Sequence, residues 1–194
     1  MIVTLAQKED VLYIAQIHKA EIGKGFLSSL PTAFLTTFYR ALTESQSSFC
    51  LVAKEGDKVI GFISGVSDMN AFYGYFLKHY FFQSFVILLP KVFSSAKKVL
   101  ETLLYPKKES SLPKAELLTI AIANNFQCRG IGSLMLQPFI AEMKKREVKV
   151  FKVVVGQKLA SAIKFYEKNT FTFLKNITIH GQDVSRVYLY IISK

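Results

Sequence analysis

The chain has 194 residues, with 25 Lys and Arg against 14 Asp and Glu, a formal net charge of +11 and 51% hydrophobic residues. A single domain of about 100–200 residues accounts for the length and can bury a core without disulfide staples. That apolar content excludes a chain disordered throughout. Two cysteines, Cys50 and Cys128, make no disulfide framework and suit a reducing compartment. The opening Met1–Asp10 has no basic stretch before an apolar core, so no secretory signal is expected and the setting is taken as cytoplasmic. The most apolar run, His79 to Pro90, is broken by Gln83 and Ser84 and falls short of the roughly 20 residues that a membrane span needs. It is expected to be a buried helix.

Residues 2–6 read as a short strand. An amphipathic helix follows over 9–22, with Val11, Leu12, Ile14, Ala15, His18 and Ile22 on one face, stopped by Gly23 and Gly25. Pro31 opens a second helix carrying Phe34, Leu35, Phe38, Tyr39 and Leu42. Residues 48–54 and 58–66 form a hairpin around Glu55-Gly56-Asp57. The stretch 70–113 is dense in Phe and Tyr and ends in the loop-like run Tyr105 to Pro113, so one or two helices plus a polar loop are expected there as an insert. A strand at 115–123, a polar turn at 124–129, a helix at 132–147, a strand at 148–155 and a helix at 160–169 come next. Strands 171–180 and 184–193, hinged at Gly181-Gln182-Asp183, close the chain. This order is an α/β domain with one sheet.

The segment with chemistry in it is Gln127-Cys128-Arg129-Gly130-Ile131-Gly132-Ser133, between a strand and a helix. Glycines let backbone approach a ligand. A helix start offers free N–H groups and the positive end of its dipole. Together they make a phosphate cradle, to which Arg129 adds charge. The same glycines also suit a tight strand-to-helix turn with no ligand. A dinucleotide fingerprint fails because Met135 stands where its third glycine belongs. A P-loop fails because the chain has no Gly-Lys-Ser/Thr. The basic excess favours anionic ligands and is dense between Glu142 and Lys168, where Lys144, Lys145, Arg146, Lys149, Lys152, Lys158 and Lys164 lie.

About 30 residues after the loop comes Ala162-Ile163-Lys164-Phe165-Tyr166-Glu167-Lys168-Asn169-Thr170-Phe171. With Gln127, Gly130 and Gly132 it resembles the paired motifs of the GNAT superfamily, the Gcn5-related N-acetyltransferases, and Ile120-Ala121-Ile122 is similar to the family's strand before the loop. Two positions depart from the pattern. Leu159 replaces an Asn three residues before Ala162, and Thr170 replaces the Gly before Phe171, with Asn169 a candidate for the left-handed cap.

The resemblance implies a single mixed, mostly antiparallel sheet flanked by helices, with splayed central parallel strands 115–123 and 148–155 and a helical insert. It also implies acetyl-CoA between those strands. Ile120, Ala121 and Ile122 would pair with its pantetheine arm. Gln127, Cys128, Arg129, Gly130, Ile131, Gly132 and Ser133 would hold the pyrophosphate. By the same resemblance Tyr166 is the acid that protonates the departing thiolate. Glu116 is the base candidate: it alternates with Leu118, Ile120 and Ile122 in an apolar strand and falls where some members carry their base. A water chain is the alternative to it. Cys128, with no His near it in sequence, is not expected to be a nucleophile, and His18, His79 and His180 have no metal-ligand spacing.

The expected function is therefore acetyl transfer from acetyl-CoA to a small primary amine. The segment 23–31 and the insert, both poor in acids, disfavour a polycationic acceptor. The alternative is a non-catalytic basic module on the same scaffold that binds a membrane surface or nucleic acid, although no specific nucleic acid is expected. The insert's apolar stripe needs a cover. A wall of the acceptor site, with or without a homodimer, ranks ahead of membrane-surface contact.

Overall fold

The computed structural model describes residues 1–23, 26–108, 111–178 and 184–192, with side chains described throughout except at Phe26 and 90–108. In chain order the elements are β1 (Ile2–Leu5), α1 (Val11–Glu21), α2 (Phe26–Ser29), α3 (Thr32–Glu44), β2 (Ser48–Glu55), β3 (Lys58–Val66), α4 (Met69–Lys108), β4 (Glu116–Ile122), α5 (Ile131–Lys145), β5 (Val150–Gly156), α6 (Ala160–Lys168), β6 (Thr172–Thr178) and β7 (Val184–Ile191). The strands form one sheet in the order β1-β2-β3-β4-β5-β7-β6. Neighbours are antiparallel except β4 and β5, which are parallel.

Two cores sit on the two faces of the sheet. One joins α1, α3 and the first half of α4 through Ile14, Leu35, Tyr39, Leu42, Phe62, Phe72 and Phe76. The other joins α5 and α6 through Ile131, Met135, Phe139, Ile163 and Tyr166, packed on Leu51, Leu117, Phe151 and Val153. The expected apolar faces of α1 and α3 hold except at Leu12, which is exposed while Ile17 is buried; on α5, Met135 and Phe139 are buried and Leu134 is exposed.

Pro31 is the N-cap of α3, as its fixed φ suits. The hairpin closes with Glu55 opposite Lys58, and Gly56 takes a φ of +59° that other residues resist.

The insert is a single helix, within the expected one or two, but it is 40 residues long and runs through Tyr105 and Pro106 to Lys108, into the stretch expected to be loop. A proline removes one hydrogen bond and disfavours the helix around it, but the neighbouring turns can carry the helix past it. Nor is His79–Pro90 a buried helix: Tyr80, Ser84 and Leu88 are buried, whereas Phe81, Phe82, Phe85, Val86 and Leu89 are exposed. Among the described residues, no helix is long and apolar enough to cross a membrane. Gly25, the Gly181–Asp183 hinge and His180 lie outside the described residues.

Candidate active site

The ladder between β4 and β5 is short. Glu116 pairs with Lys152 and Leu117 with Val153, and the register goes no further. β4 runs on to Ile122 and β5 to Gly156, so the two strands part and leave backbone groups on their facing edges without a strand partner. At the root of the gap Lys152 Nζ lies 2.9 Å from Glu116 Oε2, with both side chains buried, and it also donates to Pro113 O at 2.6 Å. Burial pushes the Glu116 carboxyl upward, and the Lys152 ammonium opposes that shift. Glu116 is therefore not at an exposed strand start.

Its alternation also differs from the sequence expectation. The pairing of β3 with β4 shifts between Ser64 and Gly65, from Ser64 opposite Thr119 to Gly65 opposite Leu117, which leaves Leu118 as an extra, bulged residue. Leu118 and Ala121 pack with the α1–α3–α4 core, while Ile120 and Ile122 pack with the α5–α6 core. Glu116 thus faces opposite to Ile120 and Ile122, and also opposite to its neighbour Leu117, which shares a cluster with Tyr166.

After Ile122 the chain turns through a single 3-10 turn, Asn124–Phe126. Cys128 (φ +59°) and Gly130 (φ +76°, ψ 1°) are left-handed. Gly130 is the N-cap of α5 with no side chain capping the helix, so the first-turn N–H groups of Ile131, Gly132 and Ser133 have no intrahelical acceptor. A Cβ on Gly130 would meet nothing within 4 Å, so the glycine serves dihedral freedom and an open approach. Gly132 serves packing: a Cβ there would lie 3.1 Å from Phe165 of α6. A group with negative charge and many acceptors fits this cradle.

Gln127 and Arg129 act on the loop itself. Gln127 Nε2 donates to Ile122 O at 2.9 Å and to Glu21 Oε2 at 2.8 Å, and Glu21 Oε1 accepts from the Asn124 N–H at 2.9 Å. Arg129 donates to Asn125 O at 2.8 Å and lies over the Phe126 ring, which Lys58 also approaches. Glu21 ties the end of α1 to the loop from 103 residues away in sequence. No local pattern marks it.

Tyr166 is buried on α6 against Phe165, Phe171 and Tyr188, and burial raises its phenol well above the usual 10. Glu167 accepts a hydrogen bond from the Tyr188 hydroxyl at 2.9 Å. Asn169 is not the left-handed cap: its φ is −95°, and Thr170 takes φ +65°. The missing glycine is thus replaced by a strained β-branched residue. Cys128 is exposed and Cys50 buried. Among the described residues, no three His, Cys, Asp or Glu side chains gather as metal ligands would.

A polar chain missed from sequence runs through the α1–α3 core. His18 Nε2 is 3.1 Å from Ser28 Oγ, His18 Nδ1 is 2.6 Å from the Tyr39 hydroxyl, and the Thr119 side chain beside the bulge acts on that hydroxyl. His18 lay on a predicted buried face, but nothing local named its partners.

An open α/β sheet binds its ligand where parallel strands diverge at their carboxyl ends, next to a helix N-terminus. This chain has that cleft, and its topology and loop define the class. A family model described as the acetyltransferase (GNAT) family matches residues 17–171. The chain belongs to the GNAT acetyltransferase family. Solved structures that share the fold include the following three. Salmonella typhimurium yncA, solved with its cofactor acetyl-CoA, aligns with a TM-score of 0.63 at 15% identity over 100% of this chain and 95% of that one. The ribosomal-protein-alanine N-acetyltransferase of Brucella melitensis aligns at 0.65, with 14% identity over 98% and 99%. An N-acetyltransferase of Staphylococcus aureus aligns at 0.64, with 14% identity over 99% and 98%. No protein with a curated description matches significantly.

Proposed function

We propose that the protein moves the acetyl group of acetyl-CoA to a primary amine of a small acceptor by direct transfer. The observation that carries this is the parting of β4 and β5 after Leu117 and Val153, followed in the chain by the left-handed loop that opens α5. Acetyl-CoA supplies an activated thioester. The backbone of Ile120, Ala121 and Ile122 would pair with its amide-bearing arm, as an added strand does. The N–H groups from Cys128 to Ser133 would hold its pyrophosphate, with Gln127, whose own N–H donates to Asn124 O at 3.1 Å, and Glu21 keeping the loop in shape.

The transfer needs a neutral amine, a polarised carbonyl and a proton for the leaving thiolate. Tyr166 is the proton donor of this proposal, since burial keeps the phenol neutral at any physiological pH. Glu116 is its base, acting from the opposite face of the sheet. Lys152 favours the ionised carboxylate that a base must be. The same ion pair gives Glu116 a second duty, holding β4 to β5 where they still touch.

The test is a thermal shift with acetyl-CoA, followed by thiol release with amino sugars, amino acids and peptide N-termini as acceptors. Ligand at about 100 times its dissociation constant should stabilise the fold by about 2.7 kcal/mol. No shift with acetyl-CoA overturns the proposal. A shift without thiol release for any acceptor favours a binding protein on the same scaffold.

A further inference from the structure

The feature that this reading leaves unused is α4. At about 1.5 Å per residue its 40 residues span roughly 60 Å. The longest strand of the sheet has 9 residues, about 30 Å at the usual rise. One face of the first half is accounted for: Phe72, Phe76, Tyr80 and Leu88 are buried, with Phe34 and Phe38 of α3 against Phe76. The opposite face is not. Phe82 is 78% exposed and Phe81 58%, and Leu77, Phe85, Val86 and Leu89 are exposed with them. Phe81 and Phe85 stack on each other at 6.1 Å. Contiguous large apolar side chains in water mark a surface that meets something.

The stripe continues in the sequence. From Phe82 the apolar positions step by three and four through Phe85, Leu89, Val92, Ala96, Val99 and Leu103. The same helix carries Lys78, Lys91, Lys97, Lys98, Lys107 and Lys108 against one acid, Glu101. An occupant must therefore be apolar and anionic at once. A second copy of the chain offers an apolar stripe, but a two-fold interface uses the same patch on both copies and so doubles the lysines with one acid per copy to meet them. Nucleic acid matches the lysines but offers nothing to Val86 and Leu89. A bilayer rich in anionic lipid offers acyl chains for the stripe and phosphates for the lysines.

We propose that α4 is a membrane-surface anchor. It lies in the plane of an anionic bilayer, with Phe81, Phe82, Phe85, Val86 and Leu89 seated at the boundary between headgroups and acyl chains. This inference does not depend on the acetyl-transfer reading.

The test uses the full chain with vesicles of phosphatidylcholine alone and of phosphatidylcholine with 30% phosphatidylglycerol, at 50 and 500 mM NaCl. Co-sedimentation is expected with the anionic vesicles at low salt, several-fold weaker at high salt and near background with neutral vesicles. The chain has no tryptophan, so Phe82→Trp is a sole reporter, and its emission should shift to the blue on anionic vesicles. The pair Phe82→Asp and Phe85→Asp should abolish sedimentation while leaving the melting temperature as in wild type. Should the double variant not fold, Phe82→Trp emission decides alone. Four outcomes overturn the proposal: no binding, binding indifferent to lipid charge, binding that survives both aspartates in a folded protein, or a concentration-dependent dimer that the aspartates disperse in a protein that ignores vesicles.

Discussion

His18 sits in the core as a neutral imidazole, because burial, with Lys19 beside it, lowers it from its ordinary 6.5 to about 4. Between those values the unfolded chain takes up a proton that the folded chain refuses. Stability fully present above pH 6.5 is therefore lost as pH falls toward 4, by up to about 1.4 kcal/mol per pH unit. Urea melts should show this slope in wild type and a shallower one in His18→Gln; equal slopes would remove His18 from the pH response. At Tyr166, Phe should lower kcat far more than it raises the KM for acetyl-CoA, since the hydroxyl acts in the transition state. Glu116→Gln separates that residue's two duties. As base, its loss shifts the acid limb of the pH–rate profile. As clamp, it leaves Lys152 buried without its counter-charge, and folding weakens by about 3–5 kcal/mol.

Among the elements, the exit of α6 and the loop before α5 each hold a left-handed non-glycine residue, Thr170 and Cys128. Thr170 holds a left-handed φ that costs an L residue about 1–2 kcal/mol. Thr170→Gly should stabilise the protein by up to about 1 kcal/mol after the glycine's own entropy cost, and a loss of stability in urea would contradict the strain. The loop before α5 depends on Glu21. Glu21→Ala removes the acceptor of the Asn124 N–H and one of the two acceptors of the Gln127 amide, so acetyl-CoA affinity by calorimetry should fall about tenfold, the equivalent of one or two ordinary hydrogen bonds. Gly130→Asp puts a carboxylate at the cradle and should abolish that affinity. Unchanged binding in a folded variant would place the pyrophosphate elsewhere.

On the scale of the molecule, the sheet is two half-sheets, β1 to β4 and β5 to β7, whose edges meet at two residue pairs, with Lys152 ion-paired to Glu116 and donating to Ala115 O and Pro113 O. A ligand seated between β4 and β5 bridges the halves. Amide exchange at 118–122 and 154–156 should therefore slow on adding acetyl-CoA more than exchange at β2 and β3, whose ladder is already complete. Uniform slowing across the sheet would mean that the ligand stabilises the fold without filling the gap.

The order of elements, the Gly56 turn and the left-handed Gly130 at the start of α5 were legible in the chain, because periodicity, glycine and proline act over a few residues. Tertiary structure alone decided the rest. The bulge at Leu118 comes from registering β4 against β3, and it turned Ile120 and Ile122 away from Glu116. Lys152 found Glu116 because two parallel strands met at their roots. Glu21 reached the loop, and His18, Tyr39 and Thr119 met, across three elements distant in sequence. The length of α4 was set by turns that carried it past Pro90 and Pro106, where local propensity alone would have stopped it. Each of these depends on which surfaces pack together, and that is a property of the whole chain folded at once.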